Sequence, residues 1–200
     1  MELQTFINYY LKIFFILTPF FVLSAFLSLT RDFQDQEKKR LAVKVTIAVM
    51  ISSFIIYLFG KYIFELFGIT LDAFRIGAGT ILFLSSLSMI SDNSATANQG
   101  SSHDIAVVPL AMPMTVGPGV IGVLLVMGAE ADSYMDKLVI SAALFLAVVS
   151  LGIILYLSTS MRRMIGRQGL VILPKITGLF VSAIAAQIIF TGIQNFLNLN

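Results

Sequence analysis

Pro109–Gly119, PLAMPMTVGPG, lies within an apolar run from Ile105 to Met127, and how it folds decides the architecture. Pro109, Pro113 and Pro118 each remove a backbone donor and clash with the carbonyl four residues back, while Gly117 and Gly119 hold the chain loosely. A helix entering this stretch breaks between Thr115 and Gly119. The run is nonetheless long and apolar enough to cross a bilayer. Unsatisfied backbone groups in hydrocarbon cost several kcal/mol each, so a break at that depth persists only where protein or a wet cavity satisfies it. Two readings remain open: a proline-kinked span used for packing, or a discontinuous helix whose broken ends form a binding site.

Composition supplies the setting. Of 200 residues, 58% are hydrophobic and 12% charged, with a mean hydropathy of +0.92, which is too apolar for a soluble domain of this size. The expected class is an all-α integral membrane protein. A net charge of only +2 argues against nucleic acid as a partner, and the absence of cysteine removes disulfides, thiol nucleophiles and cysteine metal sites. The first thirty residues lack a basic leader and a small-residue cleavage site, which predicts a retained first span.

Six apolar segments reach spanning length: Phe6–Leu29, Leu41–Phe64, Leu71–Ile90, Ile105–Gly128, Leu138–Leu157 and Ile172–Leu197. They are continuous and about twice the length of barrel strands, so helices are expected. Arg31, Lys38, Lys39, Arg40 and Lys44 follow the first span, and Arg162, Arg163 and Arg167 precede the last; both groups should be cytoplasmic. Both termini then lie outside, as does the acidic segment Ala129–Lys137. The polar stretch Ser91–Asp104, SDNSATANQGSSHD, reads as a cytoplasmic linker between two halves of three spans. The expected division is 1–91, a linker at 92–104, and 105–200.

The halves resemble each other. An offset of 99 positions superposes Pro19 on Pro118 and Gly79 on Gly178, and carries Ala48, Val49, Ile55, Tyr57 and Leu58 onto identical residue types at Ala147, Val148, Ile154, Tyr156 and Leu157. Each half holds an odd number of spans, so a duplicated half enters the membrane from the opposite side. This predicts two inverted-topology three-helix repeats with discontinuous first and fourth helices, the architecture of a secondary transporter. Breaks at corresponding positions point to the binding site. Freed amides at one half-helix start attract a carboxylate, and freed carbonyls at the other's end attract a cation, a pairing that suits a zwitterionic amino acid. Thr18, Pro19 and Phe20 are expected to face Thr115, Gly117, Pro118 and Gly119, leaving space only for a small solute.

Three segments carry a resemblance to a known family. FGITLDAFRIGAGTILFLSSLSMI (Phe67–Ile90) resembles the third span of the MarC family of bacterial inner-membrane proteins, PLAMPMTVGPGVI (Pro109–Ile121) its proline-glycine motif, and ITGLFVSAIAAQIIFTGI (Ile176–Ile193) its last span. The resemblance implies six helices in two inverted repeats. It also implies ion-coupled transport of small neutral amino acids such as glycine or alanine across the inner membrane, the role assigned to the SnatA branch. The family's first motif usually reads Asn-Pro with a glycine nearby; here it is Thr18-Pro19-Phe20-Phe21.

Other polar residues carry paired readings. Asp72 and Arg75 share a helix face at the start of the third span, either as a capping aspartate beside a snorkelling arginine or as a gating or ion-coupling pair. Gly77 and Gly79 serve substrate contact or close helix packing. Gln187, in the middle of the last span, lines a cavity or bonds a neighbouring helix, and Ser85, Ser86 and Ser88 bond their own helix carbonyls. No cofactor is expected. His103 falls in the linker, no metal-ligand or Walker spacing occurs, and no nucleophile or acid-base pair lies within the spans, so catalysis is not expected. The coupling ion is a proton or sodium. Alternatives from other classes are a passive small-solute channel and a non-transport structural or regulatory subunit. Oligomeric state, import versus export, and the preferred side chain are not readable here.

Overall fold

The computed structural model describes residues 2–91, 115–131 and 133–197, and all regular structure among them is helical. The helices are α1 (Glu2–Ile16), α2 (Pro19–Leu29), α3 (Asp35–Phe67), α4 (Leu71–Ile90), α5 (Pro118–Glu130), α6 (Tyr134–Tyr156) and α7 (Ser158–Phe196). Five stretches are long and apolar enough to cross a membrane: Leu3–Leu29, Asp35–Gly60, Leu71–Ile90, Tyr134–Tyr156 and Gln168–Phe196. α5 is a shorter apolar helix, and the first part of the expected fourth span, with Pro109, Pro113 and the linker bearing His103, lies outside the described residues.

Several boundaries depart from the expected ones for local reasons. α3 begins six residues before the apolar segment at Leu41, because the backbone N–H of Gln34 donates to the Glu37 carboxylate at 2.8 Å and closes a capping box over a charged first turn. The segment Ser158–Ile165, expected as a loop around Arg162 and Arg163, is helical. The interruption comes at Gly166, whose φ of 70° suits a residue without Cβ. α4 starts on Thr70, whose hydroxyl accepts from the Ala73 N–H at 3.3 Å. Asp72 is therefore a first-turn residue and not the cap.

The core runs through α2, α3 and α6. Val22, Leu23 and Phe26, then Ala42, Val45 and Val49, then Ala143, Leu144, Ala147, Val148, Leu151 and Leu155 are wholly inaccessible. Lipid-facing stripes complement it: Val43, Ile47, Ile51, Ile55, Leu58, Tyr62 and Leu66 recur at helical spacing along α3 and are all exposed to the surroundings.

α3 and α6 run antiparallel. At one end the Thr159 hydroxyl donates to Asp35 at 3.0 Å and the Lys39 ammonium lies 5.4 Å from the Tyr156 ring centre; at the other the Tyr57 hydroxyl donates to the Lys137 carbonyl at 3.4 Å. α4 and α7 form a second antiparallel pair, in which Gly79 faces Ala185 and Ile189 while Gly192 faces Asp72, Arg75 and Ile76. α2 packs on α7, α5 on α3 and α4, and α1 on α6, where Tyr10 and Ser150 share a hydrogen bond of 3.1 Å. Small residues permit these approaches: a Cβ on Gly128 would fall 2.0 Å from the Tyr57 carbonyl oxygen, and one on Gly60 2.4 Å from that of Leu125.

Candidate functional site

The helix starts at Pro19 and Pro118 share a construction, the residues before Thr115 lying outside the described residues. α1 closes with the Thr18 N–H donating to Phe15 O at 3.0 Å, and Pro19 then opens α2, whose first bond runs from the Val22 N–H to Thr18 O at 3.0 Å. In the second half Pro118 opens α5, and the Ile121 N–H donates to Gly117 O at 3.0 Å. The backbones before the prolines differ. Gly117 is extended (φ −74°, ψ 173°), as a residue before proline prefers, whereas Thr18 is left-handed (φ 48°, ψ 54°), an outlier for a β-branched residue. Neither half-helix start carries a side-chain cap, so the amides of Phe20 and Phe21 in α2, and of Gly119 and Val120 in α5, lack intrahelical partners.

The remaining expected site residues divide by environment. Thr115 and Pro19 are buried, Thr18, Phe20 and Gly117 half-buried, and Pro118 exposed. Gly119 abuts α4: a Cβ there would meet Leu82 Cδ1 at 2.8 Å and its Cα at 3.0 Å, so its close approach is to a helix. Gly79 is likewise filled by Ile189 at 2.7 Å, whereas Gly77 faces open space with no atom within 4 Å. Ser85 and Ser86 donate to the carbonyls of Ile81 and Phe83 in their own helix, at 2.8 and 2.6 Å.

A polar cluster lies away from the breaks, where α1, α4, α5 and α7 meet at the end opposite the basic segments. The Arg75 guanidinium is bonded to Asp72 and, through both Nε (3.0 Å) and Nη2, to Glu130 at the end of α5. Asn195 of α7 adds a bond from Nδ2 to Asp72 Oδ1 at 3.3 Å. Asp72, Arg75, Glu130 and Asn195 thus tie three helices together through charged groups. Beneath this clasp is a cavity of about 70 Å³ lined by Lys12, Arg75, Glu130, Gln187 and Thr191 together with Val123, Val126, Met127 and Ile188. The expected pair Asp72 and Arg75 meets here, and Gln187 lines the cavity.

Two members were not read from the sequence. Glu130 belongs by sequence to the acidic segment Ala129–Lys137, and its partner lies 55 positions earlier on another helix. Lys12 was legible in principle: it is the single charged residue between Leu3 and Leu29, and an ionisable group within a span marks a pathway by default.

Five stretches of spanning length among the described residues, with lipid-facing apolar stripes, define a multi-pass helical integral membrane protein. The chain belongs to the MarC family of integral membrane proteins, whose profile matches residues 3–197. It is similar to a UPF0056 membrane protein of Methanocaldococcus jannaschii, 35% identical across 98% of this chain and 100% of the relative. A UPF0056 membrane protein of Aquifex aeolicus is 29% identical over 96% of this chain and 94% of its own. Another, from Buchnera aphidicola, is 26% identical over 98% and 95%. No solved structure matches.

Proposed function

We propose that this chain is an alternating-access secondary transporter of small neutral amino acids, of the glycine and alanine class, built from two inverted three-span repeats, 1–91 and 105–200, joined by 92–104. The observation that carries the reading is a reciprocal contact between α4 and α7. Gly79 abuts Ala185 and Ile189, and Gly178 abuts Ser86 and Ile90. The 99-position offset converts each of these contacts into the other: 79 to 178, 86 to 185 and 90 to 189. Such an exchange is what a two-fold axis between repeats produces. The antiparallel pairing of α3 with α6 and of α4 with α7 is what opposite insertion of two related halves requires.

The breaks support the same reading. Pro19 and Pro118 open α2 and α5 in register, each beginning a half-helix with uncapped amides suited to a carboxylate. The clasp of Asp72, Arg75, Glu130 and Asn195 acts as the outer gate, closed here, and its opening would alternate with opening at the basic end. A charged clasp across the pathway is a device by which a carrier closes one side while the other opens. The protein sits in the plasma membrane with both termini outside, and a proton or sodium gradient drives it.

Uptake of labelled glycine by proteoliposomes tests this. Uptake should saturate, be inhibited by alanine and not by acetate or glutamate, and accelerate under an imposed proton or sodium gradient. Uptake that rises linearly with glycine and ignores alanine would overturn the carrier reading.

A further inference from the structure

We propose that the cavity beneath the outer gate is a zwitterion site in which Lys12 receives the substrate's carboxylate and Glu130 its ammonium; the inference rests on the transport reading and names its outer binding point. Lys12 is the single charged residue of the apolar stretch Leu3–Leu29. Lys12 lines the cavity together with Glu130, whose carboxylate acts on it electrostatically, but it makes no direct hydrogen bond or ion pair among the described residues. An ammonium within a span without a partner is costly and persists where a ligand or water answers it.

The charge arrangement selects the ligand. Asp72, Arg75 and Glu130 form a closed triad of net charge −1, bonded through Arg75, and Lys12 supplies the balancing charge from the cavity wall. The site as a whole is neutral, with cationic groups (Lys12, Arg75) and a carboxylate (Glu130) at the same cavity. A net anion would leave it negative and a net cation would leave it positive, each uncompensated in low dielectric. A neutral molecule with separated charges preserves the balance. Arg75 bonds Glu130 through Oε1, and Oε2 of that carboxylate has no hydrogen-bond partner among the described residues, so it can accept from an ammonium. Gln187 adds an amide to the lining. A cavity of about 70 Å³ has room for a ligand of a few heavy atoms.

The cluster is also one-sided. The 99-position offset carries Lys12 to Ala111, Arg75 to Pro174 and Gln187 to Ser88, so the repeat does not require these charges for its own packing.

Equilibrium binding of labelled glycine to purified protein in nanodiscs tests the assignment. In the wild type, alanine should displace glycine, whereas glycinamide and acetate at the same concentration should not. Lys12→Met should weaken binding at least about tenfold, and Lys12→Arg should retain most of it. Displacement by acetate or glycinamide as effective as by alanine would overturn the zwitterion assignment without recourse to any variant. Unchanged binding in a monodisperse Lys12→Met protein would overturn the role of Lys12 while leaving the transport reading intact. Failure of the wild type to bind glycine at all, together with absent uptake, would overturn both.

Discussion

Replacing Thr18 by asparagine should stabilise the protein. Thr18 has φ 48° and ψ 54°, in the left-handed region, and its side chain makes no cap hydrogen bond to α2. That conformation costs an ordinary residue about 1–2 kcal/mol, and asparagine occupies it several-fold more readily than most. Thr18→Asn should therefore recover about 1 kcal/mol, a rise of about 2–4 °C in the thermal midpoint for a chain of this length. Thr18→Gly should gain less, since the relief is offset by about 0.5–1 kcal/mol of extra freedom in the unfolded chain. Thr18→Ala keeps a Cβ but removes the β-branch and should gain less than asparagine. Loss of helical circular dichroism on heating in detergent reads all three. Equal midpoints for the asparagine and alanine variants, or a fall with asparagine, would refute the strain assigned to Thr18.

Four further expectations follow from particular contacts. Gly77→Ala, with open space around it, should be neutral or stabilising by about 0.5–1 kcal/mol, whereas Gly79→Ala, which meets Ile189 at 2.7 Å, should destabilise by about 1–3 kcal/mol, as paired thermal midpoints would read. Gly119→Val should disrupt the seat of α5 on Leu82, so lost transport in that variant accompanied by a lowered midpoint reports packing and not substrate contact. Glu130→Gln should loosen the outer clasp, so that a cysteine at Gln187 in this otherwise cysteine-free chain reacts faster with an impermeant thiol reagent; an unchanged rate would remove the clasp as a gate. Cysteines at Gln4 and Tyr134 should label in intact cells and one at Lys38 only after permeabilisation; the reverse pattern would invert the topology.

Much of the fold was legible because a membrane leaves few choices. α4 occupies Leu71–Ile90, the segment read from hydropathy, the chain breaks at Thr18-Pro19, and α5 opens at Pro118, as proline chemistry placed them. Hydropathy failed where helices continue past the bilayer: α3 starts at Asp35 through its capping box, and Ser158–Ile165 is helical although rich in charge. Those turns are governed by local capping and not by apolar length. The glycines were ambiguous for a different reason. Gly77 and Gly79 look alike in sequence, yet one faces open space and the other Ile189, a difference created only when α7 packs on α4. The outer cluster was half visible. Asp72 and Arg75 are one turn apart and were paired by periodicity, but Glu130 joins them from another helix, and Lys12 reaches the cavity only because α1 lies beside it.

Counterflow decides the central claim most directly. Proteoliposomes preloaded with unlabelled glycine, with alanine or with no solute are diluted into trace labelled glycine. Transient accumulation of label above equilibrium only in the amino-acid-loaded vesicles is the expected result, since a carrier that alternates access returns loaded from the inside. Equal filling whatever the preload would contradict it and make the protein a pore, and absence of flux in all three from folded protein would remove small neutral amino acids as its substrates.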